Sequence, residues 1–193
     1  MVAIATVVSC GSDSQRALAG VVRTPALEVG SVGLPDVADG GRVVTMQAPA
    51  NELYLVYFGY TSCPDVCPTT LSDIRVALDD LPAAMADRVT VAMATVDPER
   101  DTDEILTGYL AHFFDHSIAL RTTTATDLET AAQAFGVQWQ VEDHSPGDGY
   151  NVAHTAVTYV VDDTGSVVVE WPFGFDSRDM TSDISQLLDK EST

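Results

Sequence analysis

Two nearly unbroken apolar runs organise the chain. Leu53-Tyr54-Leu55-Val56-Tyr57-Phe58, within 51–60, and the segment 89–96 (VTVAMATV) lack the alternation of a half-exposed strand. Both read as strands covered on two faces. After the first, Leu71, Ile74, Leu78 and Leu81 recur at helical spacing until Leu81-Pro82 stops them, so the order is strand, loop, helix. After the second, a helix is expected from about Asp103, with Asp101 and Glu104 spaced as a capping box. Strand, helix and strand in this order make the two strands parallel, joined by a right-handed crossover. Further along, 128–135 predicts a short helix ended by Gly136. Segments 155–161 and 166–171, parted by Asp162-Asp163-Thr164-Gly165, predict a β-hairpin, and 179–190 a final helix. Ahead of the first run, 21–43 holds short extended pieces punctuated by Pro25, Pro35 and Asp39-Gly40-Gly41, as in an N-terminal hairpin.

The fold class implied is α/β, a central mixed sheet flanked by helices, with an N-terminal hairpin and an insertion before the C-terminal β-hairpin. This order resembles the thioredoxin arrangement. With 193 residues, 46% of them hydrophobic, the chain has material for one domain and a short appendage. Lys and Arg total 9 against 29 Asp and Glu, a formal charge of -20 that repels phosphate backbones, so no nucleic-acid partner is expected. Otherwise the charge reads as a solvated acidic face. No apolar stretch reaches the ~20 residues that span a bilayer.

The first residues carry an address. Residues 1–9 read as a signal peptide, and Val7-Val8-Ser9-Cys10 is similar to the lipobox of bacterial lipoproteins. On that reading Cys10 is acylated, 10–25 is the lipidated cysteine and its tether, and 26–191 is the domain, extracytoplasmic and anchored to the cell membrane through the lipid. The alternative for Cys10 is a spare thiol on a tail. Of three cysteines, setting Cys10 aside leaves one pair, Cys63 and Cys67.

That pair stands four apart where a buried strand gives way to a helix, with Pro64 and Pro68 bracketing the turn. A helix N-terminus favours the thiolate, the form that binds metal or attacks a disulfide. Metal binding and redox chemistry both remain open, as does a structural disulfide. Parallel strands deliver Cys63 and Asp97 at their C-terminal ends, and an antiparallel strand opening at Thr155 places His154 at the same edge. Two thiolates and an imidazole suit a soft or borderline ion, with copper ahead of zinc by ligand type and affinity order. Asp97 reads either as orienting a ligand or the cysteine loop, or as a turn-forming residue before Pro98. His112, His116 and His144 read as surface residues, Trp139 and Trp171 as packing.

Three segments now carry a resemblance: 58–71 (FGYTSCPDVCPTTL), 96–102 (VDPERDT) and 150–155 (YNVAHT). Together, in this order, they resemble the signature segments of Sco/SenC copper chaperones. The likeness extends over roughly 26–188. It implies one copper ion on Cys63, Cys67 and His154, delivered to the dinuclear copper site of cytochrome c oxidase, whose copper-site subunit is the expected partner beside other copper chaperones or thioredoxin-like reductants. Cys63 and Cys67 are then also the pair that forms a redox disulfide. Ser62 and the acidic loop 142–149 depart from the family pattern without touching a ligand. A thiol-disulfide reductase keeping oxidase-subunit cysteines reduced, and a copper or redox sensor, use the same residues. The three-residue spacing of the cysteines, and Ala153-His154-Thr155 where thioredoxins place a proline, favour metal.

Overall fold

The structure, a computed structural model, describes residues 17–143, 145 and 149–190. Cys10, the segment 1–9, His144 and part of the loop 142–149 lie outside the described residues.

Among the described residues, nine strands and five α-helices follow one another: β1 (Gly33–Asp36), β2 (Arg42–Thr45), β3 (Leu53–Gly59), α1 (Val66–Asp79), α2 (Ala83–Ala86), β4 (Val89–Thr95), α3 (Asp103–Leu110), β5 (Ser117–Leu120), α4 (Ala125–Phe135), β6 (Trp139–Val141), β7 (Val152–His154), β8 (Val157–Val161), β9 (Val167–Pro172) and α5 (Ser177–Lys190). Seven strands form one sheet in the order β2-β1-β5-β4-β3-β8-β9, and β6 pairs with β7 in a separate ribbon. The two apolar runs are its central strands. β3 and β4 lie parallel in register Leu53↔Val89 to Gly59↔Thr95, with Leu55, Val56, Tyr57 and Phe58 all buried. α1 packs against α5.

The expected mixed sheet, N-terminal hairpin and C-terminal hairpin are all present, and the structure adds the short helix α2, the strand β5 and the β6–β7 ribbon. β5 extends the parallel set beside β4. At four residues (SIAL) it is too short to stand out by period. The insertion before the last hairpin is the β6–β7 ribbon, so His154 closes β7 and does not precede a sheet strand at Thr155. β8 starts only at Val157, because Thr155 still donates to the Gln138 carbonyl and prolongs the ribbon.

The Asp101–Glu104 capping box does not form. Thr102 caps α3, its Oγ1 accepting from the Ile105 N–H at 3.3 Å. Asp101 is fully buried and accepts instead from the Thr61 N–H at 3.0 Å, the Thr61 hydroxyl at 2.5 Å and the Thr95 hydroxyl at 2.6 Å. A buried carboxylate requires such donors, and here they tie the loop after β3 to the end of β4.

Candidate metal centre

β3 brings Tyr57, Phe58 and Gly59 to the edge of the sheet, and 60–65 carries Cys63 in front of α1. Asp65 stands at the N-cap of α1 but its side chain caps no backbone N–H. Cys63 Sγ takes that place, accepting from the Cys67 N–H at 3.4 Å. Pro68, in the first turn, costs the helix no bond, since its N–H would have been unpaired there.

Cys67 is fully buried beneath Cys63, and the Tyr57 hydroxyl donates to its sulfur at 3.6 Å. A Cβ on Gly59 would stand 3.0 Å from that sulfur and 2.6 Å from the Tyr57 ring, so only glycine lets the strand end approach this closely. His154 arrives from the ribbon. Its Nε2 lies 3.4 Å from Cys67 Sγ, and its Nδ1 lies 3.2 Å from the Thr155 carbonyl oxygen. With Nδ1–H donating to that carbonyl, Nε2 keeps its lone pair towards the thiols, the tautomer a metal requires. The rings of Tyr57 and Tyr60 meet the imidazole edge-on at 6.0 and 5.8 Å and hold its plane. One donor atom each from Cys63, Cys67 and His154 lies within 4.8 Å of the others, the one such group among the described residues.

The two thiols differ electrostatically. Burial pushes the Cys63 thiol up, but the backbone N–H groups of Cys67 and Asp65, with side-chain bonds from Cys67 and Tyr60, outweigh it and leave its pKa below the ordinary thiol value. Burial dominates at Cys67, whose pKa is pushed up to about 12. Burial also lowers His154, which keeps the imidazole neutral and able to coordinate.

Asp97 reaches the site indirectly. It is 3% exposed, its Oδ2 accepting from Arg100 Nε at 2.5 Å and its Oδ1 from the Tyr150 hydroxyl at 2.9 Å. Arg100 lies 3.5 Å over the Tyr150 ring and donates to the Tyr150 carbonyl at 2.8 Å. Asp97 thus holds the segment that carries His154, not the cysteine loop. His112 and His116 are exposed, as expected. Trp171 is buried, and Trp139 pairs with His154 in the ribbon. Tyr57 read in the sequence as strand core; Gly59, Tyr60, Arg100 and Tyr150 stood inside the three resembling segments without a role of their own, since no spacing links Arg100 to Tyr150.

A parallel-centred sheet, two thiols at a helix N-terminus and a histidine from the facing segment define a thioredoxin-like protein with a Cys-Cys-His site. The chain belongs to the SCO1/SenC family, whose model matches residues 36–189. A SCO2-like protein of Rickettsia prowazekii is 32% identical over 130 residues, 67% of this chain and 62% of that protein. The chain therefore spans less than two thirds of that relative. Apo Sco1 from Thermus thermophilus is similar with a TM-score of 0.75 at 31% identity, covering 87% of this chain and 95% of that one. ScoI of Bradyrhizobium japonicum, solved with copper bound, is similar with a TM-score of 0.69 at 30% identity, covering 81% and 96%. Copper binding thus occurs in this family, and the Cys-Cys-His cluster that suits it is present here.

Proposed function

We propose that this chain is a metallochaperone: it takes one copper ion on Cys63, Cys67 and His154 and delivers it to the dinuclear copper site of cytochrome c oxidase during assembly. The observation that carries this reading is the convergence of two thiols and one imidazole on a half-exposed spot. Two sulfurs and a nitrogen are a soft donor set, and a site at the surface suits a cargo that must leave again. Loading displaces the proton of Cys67, whose thiol is otherwise neutral, so uptake releases protons and strengthens as pH rises.

Delivery is tested by mixing the copper-loaded chain with the reduced, metal-free copper domain of an oxidase subunit and following the absorption of the dinuclear centre. The reading expects that absorption to grow with the loaded wild type and not with His154→Ala. Equal growth with both proteins overturns it. Anchoring through Cys10 and an extracytoplasmic location belong to the same proposal, supported by the Val7-Val8-Ser9-Cys10 pattern. Mass spectrometry of the membrane fraction is the check, with a diacylglyceryl cysteine expected.

A second reading has its own observation. A half-buried Cys63 of lowered pKa above a fully buried Cys67 of raised pKa is the asymmetry of an attacking and a resolving thiol in disulfide exchange. Rapid reduction of an oxidised oxidase subunit, unaffected by His154→Ala, would promote it.

A further inference from the structure

Tyr60 follows directly on β3, ahead of the cysteine loop, and it meets all three donors of the site. Its backbone N–H donates to the Cys67 sulfur. Its hydroxyl donates towards the Cys63 sulfur, one of the bonds that hold that thiol's pKa down. Its ring meets the His154 imidazole edge-on at 5.8 Å. The same hydroxyl accepts from the Val152 N–H at 3.3 Å. Val152 belongs to β7 with His154, and its N–H turns away from β6, because Asn151 and Thr155 are the residues bonded across the ribbon. Tyr60 and Val152 are 3% and 4% exposed, so water does not compete for either group. Phenylalanine would fill the same space, so packing alone does not require the hydroxyl.

We infer that Tyr60 is a positioning residue that couples the cysteine loop to the histidine arm, its hydroxyl linking the Val152 N–H to the Cys63 sulfur in one hydrogen-bonded chain. A hydroxyl that donates is a better acceptor, so the two bonds strengthen each other. Loss of the sulfur weakens the hold on Val152, and loss of the hydroxyl frees both ends. The placement of His154 therefore depends on what Cys63 presents to Tyr60. Asp97 and Arg100 hold the same arm farther back, at Tyr150, and do not reach the thiols. That the coupling serves a copper site rests on the function proposed above; the coupling itself does not.

The test is a double-substitution cycle on the metal-free, reduced full chain labelled with ¹⁵N, reading exchange of the Val152 amide. Tyr60→Phe is expected to speed that exchange about tenfold, the loss of one buried bond. Cys63→Ala is expected to speed it about threefold in the wild-type background and less than about 1.5-fold once Tyr60→Phe is present. The same Cys63→Ala effect in both backgrounds, or an unchanged Val152 amide in Tyr60→Phe, overturns the coupling. Should Tyr60→Phe fail to fold, an unmoved Val152 amide in Cys63→Ala overturns it alone. Copper titration reads the metal site separately, with Tyr60→Phe expected to bind about tenfold more weakly than wild type; equal affinity overturns the positioning role. Coupling in a wild type that takes up no copper keeps the link and removes the metal reading, whereas copper uptake with independent effects does the reverse.

Discussion

Cys63 and Cys67 are four residues apart, yet one is held ready to ionise and the other is not. The sulfur of Cys63 completes the N-terminus of α1, and that of Cys67 is sealed below it against Tyr57. Alkylation by iodoacetamide requires the thiolate, so a depressed pKa moves reaction to lower pH and a raised one to higher pH. Cys63 is therefore expected to modify at lower pH than a free thiol. Cys67 is expected to stay unmodified until the pH nears about 12. Peptide mapping after alkylation across pH checks both, and equal rates for the two cysteines contradict the assignment. The Tyr57 hydroxyl is the partner most open to a single-atom change. Tyr57→Phe keeps the buried ring and removes the hydroxyl with its bonds to the Cys67 sulfur and to Thr70, so copper affinity should fall about tenfold, as it does when an outer partner of a ligand is lost. Thermal melting within a few degrees of wild type would confirm that the loss is local.

At the scale of elements, the site joins three pieces with separate anchors: β3 with the loop into α1, the end of β4, and the ribbon. Asp101 ties the first to the second, and Asp97 with Arg100 ties the third. Arg100→Ala removes the stack on Tyr150 and the bond to its carbonyl while leaving Cys63 and Cys67 in place. Amide exchange in 150–154 should then rise severalfold and copper affinity fall, with the Cys63 alkylation profile unchanged; altered Cys63 reactivity would show that Arg100 acts on the thiols as well. The sequence showed the first piece clearly, because β3 is covered on both faces and α1 carries a helical apolar row that ends at Leu81-Pro82. It placed His154 at the right edge but in the wrong element. The three-residue strands β6 and β7 are held by pairing to each other, which leaves no periodic mark. Asp101 read as a helix cap for a similar reason. A cap and a buried clamp show the same residue at the same spacing, and only burial separates them.

Across the whole molecule, the N-terminal segment is part of the domain from Ala19 onward, earlier than the tether boundary read at residue 25. Asp183, fully buried in α5, accepts from the backbone N–H groups of Ala19 and Gly20 at 2.6 and 2.9 Å and from Trp171 Nε1 at 3.0 Å. Gly20 is pressed so close that a Cβ there would lie 2.5 Å from the Val169 side chain. Val21 then bridges to Glu170, and Arg23 forms an ion pair with the same residue. Asp183→Ala leaves three donors without their acceptor and should cost about 2–4 kcal/mol, each buried donor carrying about 1–3 kcal/mol at most before solvent re-enters. Denaturant unfolding reads the loss, and limited trypsin digestion at Arg23 should accelerate in the same variant. The central claim is the three-residue copper site, and a competition titration of the reduced chain against a chromophoric copper chelator tests it most directly. One equivalent of copper should bind to the wild type, with His154→Ala about tenfold or more weaker and Cys63→Ser with Cys67→Ser binding none in the same range. Wild type and His154→Ala competing equally for the metal would contradict the account.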